Sequence, residues 1–285
     1  MNRPLFEHCP LGCTTPLITT DIELPEGNLR QCPDCGQLLS SCTQTWYDES
    51  MREFDVPEGT LPQGGSQKRH EQRISRILQQ ARAQLPGSPD PVMFLDVGCS
   101  SGSVLNVARQ CGFNIHGVEP AARAAETARQ IPGAEVFNGF LHQADYPDNH
   151  FDIITLFEVI EHLTDPISLI KEIGRILKPG GLLLIGTGNA GSWTVSALGS
   201  RWEYFDIRLH GGHISFFTPE SISILAKKSG LKLSAIKTKR VNLGEKKDVS
   251  WLFYQFNRVM RELLALPARW FNKGHDMLIV LRKPE

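Results

Sequence analysis

The sequence predicts an α/β fold in which a doubly wound, mostly parallel sheet of seven strands follows a small cysteine-bearing module. Three observations carry that expectation. From residue 91 onward, short apolar runs alternate with amphipathic stretches, the pattern of strand–helix units whose sheet is covered on both faces. Five of the seven cysteines fall within the first 42 residues. Between the two regions, residues 55–66 are rich in Pro and Gly and read as a linker.

The length agrees with that division. At roughly 150 residues per domain, 285 residues hold one large domain and a small appendage. The expected boundaries are a module at 1–54, the linker at 55–66 and a large domain at 67–285. A content of 41% hydrophobic and 21% charged residues is ordinary for a globular chain and excludes a disordered or fibrous one. Thirty Lys and Arg against 31 Asp and Glu leave a net charge of -1, without the broad basic surplus of a general nucleic-acid binder. The longest apolar runs, such as Leu182 to Ile185, fall far short of the ~20 residues that span a bilayer. No apolar signal-like core precedes Cys9. A cytoplasmic protein is expected, any membrane association being confined to its surface.

In the module, Cys32-Pro33-Asp34-Cys35-Gly36 forms a knuckle, with two thiolates facing one ion and Gly36 relieving the turn. Cys9 and Cys13, with three residues between them and 18 more before Cys32, supply a second pair. The four can close a tetrahedral zinc site, structural rather than catalytic because four protein thiolates leave no open position. So short a segment buries little core, and the ion would supply folding energy. His8 and Cys42 are reserve ligands. Free thiols in a loosely folded end are the bland alternative, which the spacing and a reducing compartment oppose.

The large domain opens with a helix at 67–85, where Ile74, Ile77, Leu78, Ala81 and Leu85 make one apolar stripe and Ser66 is placed to cap it. Strands are expected at 92–97, 114–119, 134–138, 151–157, 182–187, 231–241 and 276–282. Helices are expected near 102–112, 120–131, 166–177 and 218–230. In such a sheet, ligands bind beyond the carboxyl ends of the strands, where the strand order reverses.

The first of these strands runs into Asp96-Val97-Gly98-Cys99-Ser100-Ser101-Gly102. This D-x-G-x-x-x-G loop is neither the G-x-G-x-x-G of dinucleotide sites nor a phosphate loop, because no Lys-Ser/Thr follows. Its glycines let a ligand touch backbone, and without a diphosphate cradle the ligand reads as a nucleoside with a compact polar arm. Glu119, 23 residues after Asp96, ends the next strand where a carboxylate accepts from both ribose hydroxyls.

With these residues on view, the chain resembles the class I, seven-strand S-adenosylmethionine-dependent methyltransferases, whose fold is Rossmann-like, from about residue 90 to 285. The resemblance rests on Leu95 to Gly102, Gly117-Val118-Glu119-Pro120, Phe151-Asp152-Ile153-Ile154 running into Glu158-Val159-Ile160-Glu161-His162-Leu163, and Leu177-Lys178-Pro179-Gly180-Gly181. It implies that Asp96, Gly98, Cys99, Ser100 and Gly102 hold the methionine arm and Glu119 the ribose. It also implies that Asn138, Gly139 and Phe140 lie along the adenine and Phe157 near the sulfonium. Many members carry Asp near Asn138; here Asn138 or a backbone carbonyl must take that role.

The donor methyl is already activated, so the protein must chiefly align a nucleophile and exclude water. A hydroxyl nucleophile also benefits from a base titrating near neutrality, as histidine does. His162 follows the fourth strand on the site rim, where helix-start packing is the competing role. His210 and His213 lie in an insertion at about 189–217, a lid whose aromatics could wall an apolar acceptor or simply pack on the sheet. The junction His213 to Ser221 is similar to that of small-molecule members, with Thr218 capping the next helix ahead of Pro219. His213 is favoured for acceptor contact and His162 for proton removal.

A second insertion, about 249–272, carries an apolar stripe at Leu252, Phe256, Val259, Met260, Leu263 and Leu264. Residues 227–247 hold eight Lys or Arg against Glu245. Together, 227–272 could meet an anionic membrane or a lipid-linked acceptor; a core or homodimer-forming helix beside a solvated basic edge is the plainer reading. The expected function is methyl transfer to a small molecule, a hydroxyl oxygen of a sugar, quinone-like or lipid-linked compound being preferred. RNA methylation, sugar C-methylation and a non-enzymatic binding module are the alternatives.

Overall fold

A computed structural model describes residues 3–52, 65–87, 89–207, 211–244 and 251–285. His210 and most of the expected linker lie outside the described residues, as do Lys246, Lys247 and the side chains of Leu252 and Phe256.

The large domain is built on β4 (Met93–Val97), β5 (Asn114–Glu119), β6 (Glu135–Asn138), β7 (Phe151–Phe157), β8 (Leu177–Gly188), β10 (Lys232–Lys239) and β11 (Asp276–Arg282). They form one sheet in the order β10-β11-β8-β7-β4-β5-β6. The pairs β4–β5, β5–β6, β4–β7 and β7–β8 are parallel, whereas β11 runs antiparallel to β8 and β10 to β11. The expected seven strands are all present. The order reverses at β4: the chain goes to β5 and β6 on one side, then returns to β7 and β8 on the other. A crevice therefore opens beyond the carboxyl ends of β4 and β7.

Alternation along the strands explains the layers, because successive side chains of a strand face opposite sides. Phe94, Ile153, Leu182 and Leu184 face a core shared with α2 (Gly65–Arg82) and α3 (Ser103–Gln110). Leu95, Ile154, Leu183 and Ile185 face the other, shared with α5 (Pro166–Ile176) and α7 (Pro219–Lys228). Each fully buried aliphatic side chain stabilises the fold by about 1.5–3 kcal/mol. One expected cap forms and the structure adds another. The Thr218 hydroxyl accepts from the Ser221 backbone N–H at 3.1 Å and Pro219 opens α7; Asp165 caps α5 by accepting from Ser168 N–H. α2 starts at Gly65, so Ser66 lies within the helix and not ahead of it.

The N-terminal region forms β1 (Ile18–Leu24), β2 (Gly27–Gln31), β3 (Leu38–Leu39) and α1 (Gln44–Arg52). Its antiparallel sheet is completed by β9 (Ser215–Phe216), which comes from the lid insertion. Leu38 pairs with Phe216 and Leu39 with Ser215. Cys9, Leu11, Cys32 and Cys35 share a core with Phe217, Ile222 and Leu225 of the large domain. The module and the lid thus fold against each other, a relation no local sequence pattern signals. The remaining helices are α4 (Ala122–Arg129), α6 (Trp193–Leu198) and α8 (Trp251–Trp270).

Candidate active site

The loop after β4 turns on two left-handed glycines, Gly98 at φ +75° and Gly102 at φ +86°. A Cβ at either would collide, with Val159 at Gly98 and with Ile131 at Gly102, so no other residue fits without movement. Glu119 closes the loop from the end of β5. Its carboxylate accepts from the Ser100 backbone N–H at 2.8 Å and the Ala121 N–H at 2.9 Å. Asp96 is buried and accepts from the Thr155 hydroxyl at 2.6 Å. Burial, opposed by that hydrogen bond and reinforced by the Glu119 charge, pushes its carboxyl up to about 7.

Asn138 spends its amide N–H donors on the carbonyls of Glu119 and Pro120, leaving the amide oxygen as its acceptor. Gly139 N–H donates to the Glu119 carbonyl, and Phe140 beside it is 59% exposed, a ring available to stack on a planar ligand. Phe157 is half-buried and packs toward Gly186. The side chain of Cys99 is buried under Gly117, so only its backbone lines the loop. The Ser101 hydroxyl, buried on the same loop, has no hydrogen-bond partner. A cradle of exposed backbone with an orphaned hydroxyl and a carboxylate at its rim fits the amino-acid and ribose ends of S-adenosylmethionine.

Beyond β7 the chain makes a second construction. Glu158 takes a left-handed φ of +54° directly after the strand, strain that is retained where the surroundings fix it. The Tyr204 hydroxyl donates to Glu158 at 2.7 Å and also bonds Glu161. Glu161 is fully buried and accepts from Thr187 at 3.1 Å. Burial first, then the Glu158 charge, pushes the Glu161 carboxyl well above the usual range. His213, also buried, has Nδ1 3.0 Å from the Tyr204 carbonyl and Nε2 3.7 Å from Glu161. Donation from Nδ1–H to that carbonyl would leave Nε2 as the basic nitrogen. His162, half-buried, stands edge-on to His213 with ring centroids 4.8 Å apart. Of the three expected histidines, two are brought together, and His210 lies outside the described residues.

Sequence reasoning passed over Glu158, Glu161, Thr187 and Tyr204 as site residues. Two acids three residues apart, with the second next to His162 just after a strand, were a usable signal; the contribution of Tyr204 was not. Among the lid aromatics, Tyr204 reaches the histidine cluster, whereas Trp202 and Phe205 pack elsewhere. Trp202 and Phe205 are buried among Leu29, Leu38 and Phe216, where the module sheet gives their large apolar surfaces a better place than water would.

Two groups among the described residues could hold a metal: the four thiols of Cys9, Cys13, Cys32 and Cys35, and the set Glu161, His162, His213, with ligand atoms in each group within 4.8 Å of one another. The Cys9 and Cys35 sulfurs are 3.7 Å apart, close to the ~3.8 Å edge of a tetrahedron with 2.3 Å zinc–sulfur bonds. Thr15 ties the two knuckles together by donating its hydroxyl and N–H to Asp34. The thiol set therefore fits zinc. The reserve ligands stay outside it: His8 is exposed, and Cys42 packs with Leu39 and Ile214, its thiol pushed up to about 11 chiefly by burial.

Comparison with known proteins places this architecture. A family model described as a methyltransferase domain matches residues 67–236. The chain is 28% identical over 176 residues to the ubiquinone biosynthesis O-methyltransferase of Thiobacillus denitrificans, covering 55% of this chain and 75% of that protein. It is 28% identical over 238 residues to the enzyme of that name from Hydrogenovibrio crunogenus, covering 78% and 92%. A SAM-dependent methyltransferase from Archaeoglobus fulgidus shares the fold with a TM-score of 0.51 at 16% identity, over 75% of this chain and 94% of that one. The YcgJ protein of Bacillus subtilis does so with a TM-score of 0.52 at 17% identity, over 76% and 99%. With the glycine loop, the reversed strand order and the matched domain in agreement, the chain belongs to the class I S-adenosylmethionine-dependent methyltransferases.

Proposed function

We propose that this enzyme methylates a hydroxyl oxygen of a small quinone-like acceptor, a phenol or catechol. The observation that carries the proposal is the cluster of His162, His213, Glu161 and Tyr204 beyond β7, on the same sheet edge as the glycine loop. S-adenosylmethionine, when bound, supplies a methyl group activated by positive sulfur. Asp96, Gly98, Ser100, Ser101 and Gly102 would hold its amino-acid end, Glu119 its ribose, and Asn138, Gly139 and Phe140 its adenine, with Phe157 nearby. His162, the less buried imidazole, takes the acceptor proton, and His213 orients it, itself held between the Tyr204 carbonyl and Glu161. A phenolic hydroxyl titrates near 10, within reach of such a base, whereas a sugar hydroxyl is far less acidic. The names of the relatives support the same choice. The thiol set of the module would hold one structural zinc.

Packing of the module against the lid favours a small acceptor over RNA, because the β3 edge that could have met a nucleic acid is paired with β9. The test is an assay of S-adenosylhomocysteine release with 3,4-dihydroxybenzoate and hydroquinone as probes, with product analysis. An O-methyl ether is expected. Methylation at carbon, or turnover with RNA alone, overturns the proposal.

A second reading concerns where the acceptor is met. No helix of the described residues is long and apolar enough to cross a membrane. Along α8, however, Val259, Leu263, Leu266 and Trp270 are 59–76% exposed, and their spacing of four, three and four puts them on one stripe. Phe271 continues it. Lys239 lies near Arg73, Lys237, Arg240 and Arg269, and its ammonium is lowered first by burial and then by these like charges. An apolar stripe beside a cation cluster suits the surface of an anionic bilayer carrying a lipid-linked acceptor. The plainer alternative is a homodimer that buries the stripe.

A further inference from the structure

We propose that the cysteine module is a working part of the acceptor site, with Tyr47 as a positioning residue that fixes His162 and the β3–β9 pairing as the device that fixes His213. This rests on the acceptor site lying at His162 and His213. Tyr47, on α1 of the module, donates its hydroxyl to the backbone carbonyl of His162 at 2.9 Å. Its ring lies against Gly212, where a Cβ would be 3.2 Å from the Tyr47 Cε2 and would also collide with Met51. Gly212 immediately precedes His213, so α1 closes one side of both histidines.

The segment after His213 is tied to the module residue by residue. Ser40 N–H donates to the Ile214 carbonyl at 2.9 Å, and Ile214 N–H donates to the Glu161 carbonyl at 3.0 Å. The Gln37 amide donates to the Ser215 hydroxyl at 2.6 Å. Phe216 pairs with Leu38. Thr218, which caps α7, donates its hydroxyl to the Cys35 carbonyl at 3.0 Å. Cys35 belongs to the thiol set, and the Gly36 N–H closes its knuckle on the Cys32 carbonyl. A set of main-chain and side-chain hydrogen bonds therefore links the cysteine knuckle and α1 to the backbone of His162 and to the residues on either side of the two histidines.

The glycine loop lies outside this path: Gly98, Ser100 and Gly102 are braced by Glu119, Val118 and Cys99. Holding the thiols together should therefore order the acceptor side of the crevice and leave the nucleoside side as it is. The module would act as a switch on acceptor engagement rather than as a separate binding unit.

The experiment uses the full chain carrying S-adenosylhomocysteine, with imidazole NMR signals assigned to His162 and His213 through their alanine variants, and calorimetry of S-adenosylhomocysteine binding. Stripping zinc with a chelator is expected to move and broaden both signals. Add-back of zinc is expected to restore them in the wild type but not in Cys32→Ser, which distinguishes the thiol site from metal held by the imidazoles themselves. The affinity for S-adenosylhomocysteine is expected to stay within about twofold, as for uncoupled sites. Tyr47→Phe is expected to move the His162 signal and leave the melting temperature, zinc content and affinity unchanged. Imidazole signals indifferent to both treatments would overturn the proposal, as would loss of S-adenosylhomocysteine binding on zinc removal. Failure of the untreated protein to bind S-adenosylhomocysteine would instead strike the methyltransferase site itself.

Discussion

Tyr204 and Glu161, 43 positions apart, share a buried hydrogen bond in which the phenol also reaches Glu158. Two acids held this close in a dry site cannot both ionise cheaply, and the phenol is the donor that makes their charge tolerable. Tyr204→Phe removes it with little change of shape. Loss of a donor to buried carboxylates costs about 1–3 kcal/mol. Because the ionised form loses most, the penalty in urea unfolding should be larger at alkaline than at acidic pH. Equal penalties at both would mean that the pair never carries charge.

Glu119 braces the loop and, in the function proposed above, also offers acceptors to the ribose. Glu119→Ala strands the N–H groups of Ser100 and Ala121 and deletes the ribose acceptor together. Charge-assisted hydrogen bonds are worth about 1.5–3 kcal/mol, so S-adenosylhomocysteine affinity by calorimetry should fall roughly 10- to 100-fold. Glu119→Gln keeps the length and one acceptor and should lose less. Unchanged binding in the alanine variant would move the ribose site elsewhere.

What could be read in advance follows physical range. Glycines at 98 and 102, the acid at 119 and the cap at 218 sit in short motifs at strand ends or a helix start, so the chain announces them. The central strands β4, β7 and β8 are also legible, because burial on both faces makes most of each an apolar run. The four thiols were legible by spacing. By contrast, β9 is two residues long and forms only because β3 offers it an edge, and Trp202 and Phe205 look like an exposed lid until the module sheet is seen to cover them. Tyr47 and Tyr204 gain their positions from partners 115 and 43 residues away. Long-range pairing of this kind leaves no local period to read.

Asp96 gives a pH signature. Its folded value of about 7 lies above the ordinary 3.8. Between those values the native state holds a proton that the unfolded chain releases, so this residue's contribution falls as pH rises from about 4 to 7 and is flat above. Asp96→Asn removes the dependence. In urea unfolding of the ligand-free protein, the variant should gain on wild type across that window by up to about 4 kcal/mol. A difference independent of pH would mean that Asp96 stays ionised throughout.

The α8 stripe separates its two readings by a single pair of substitutions. Leu263 and Trp270 are exposed, so Leu263→Glu and Trp270→Ser should leave stability within about 0.5 kcal/mol. If the stripe meets lipid, each should weaken co-sedimentation with phosphatidylglycerol vesicles about 10- to 100-fold, the cost of forgoing 1.5–3 kcal/mol of burial. Phosphatidylcholine vesicles should bind poorly in every case, and added salt should weaken binding to the anionic ones, because Arg269 and Lys237 act by charge. If the stripe instead joins two copies, light scattering will give a dimer for wild type and a monomer for both variants, and vesicles will compete with neither.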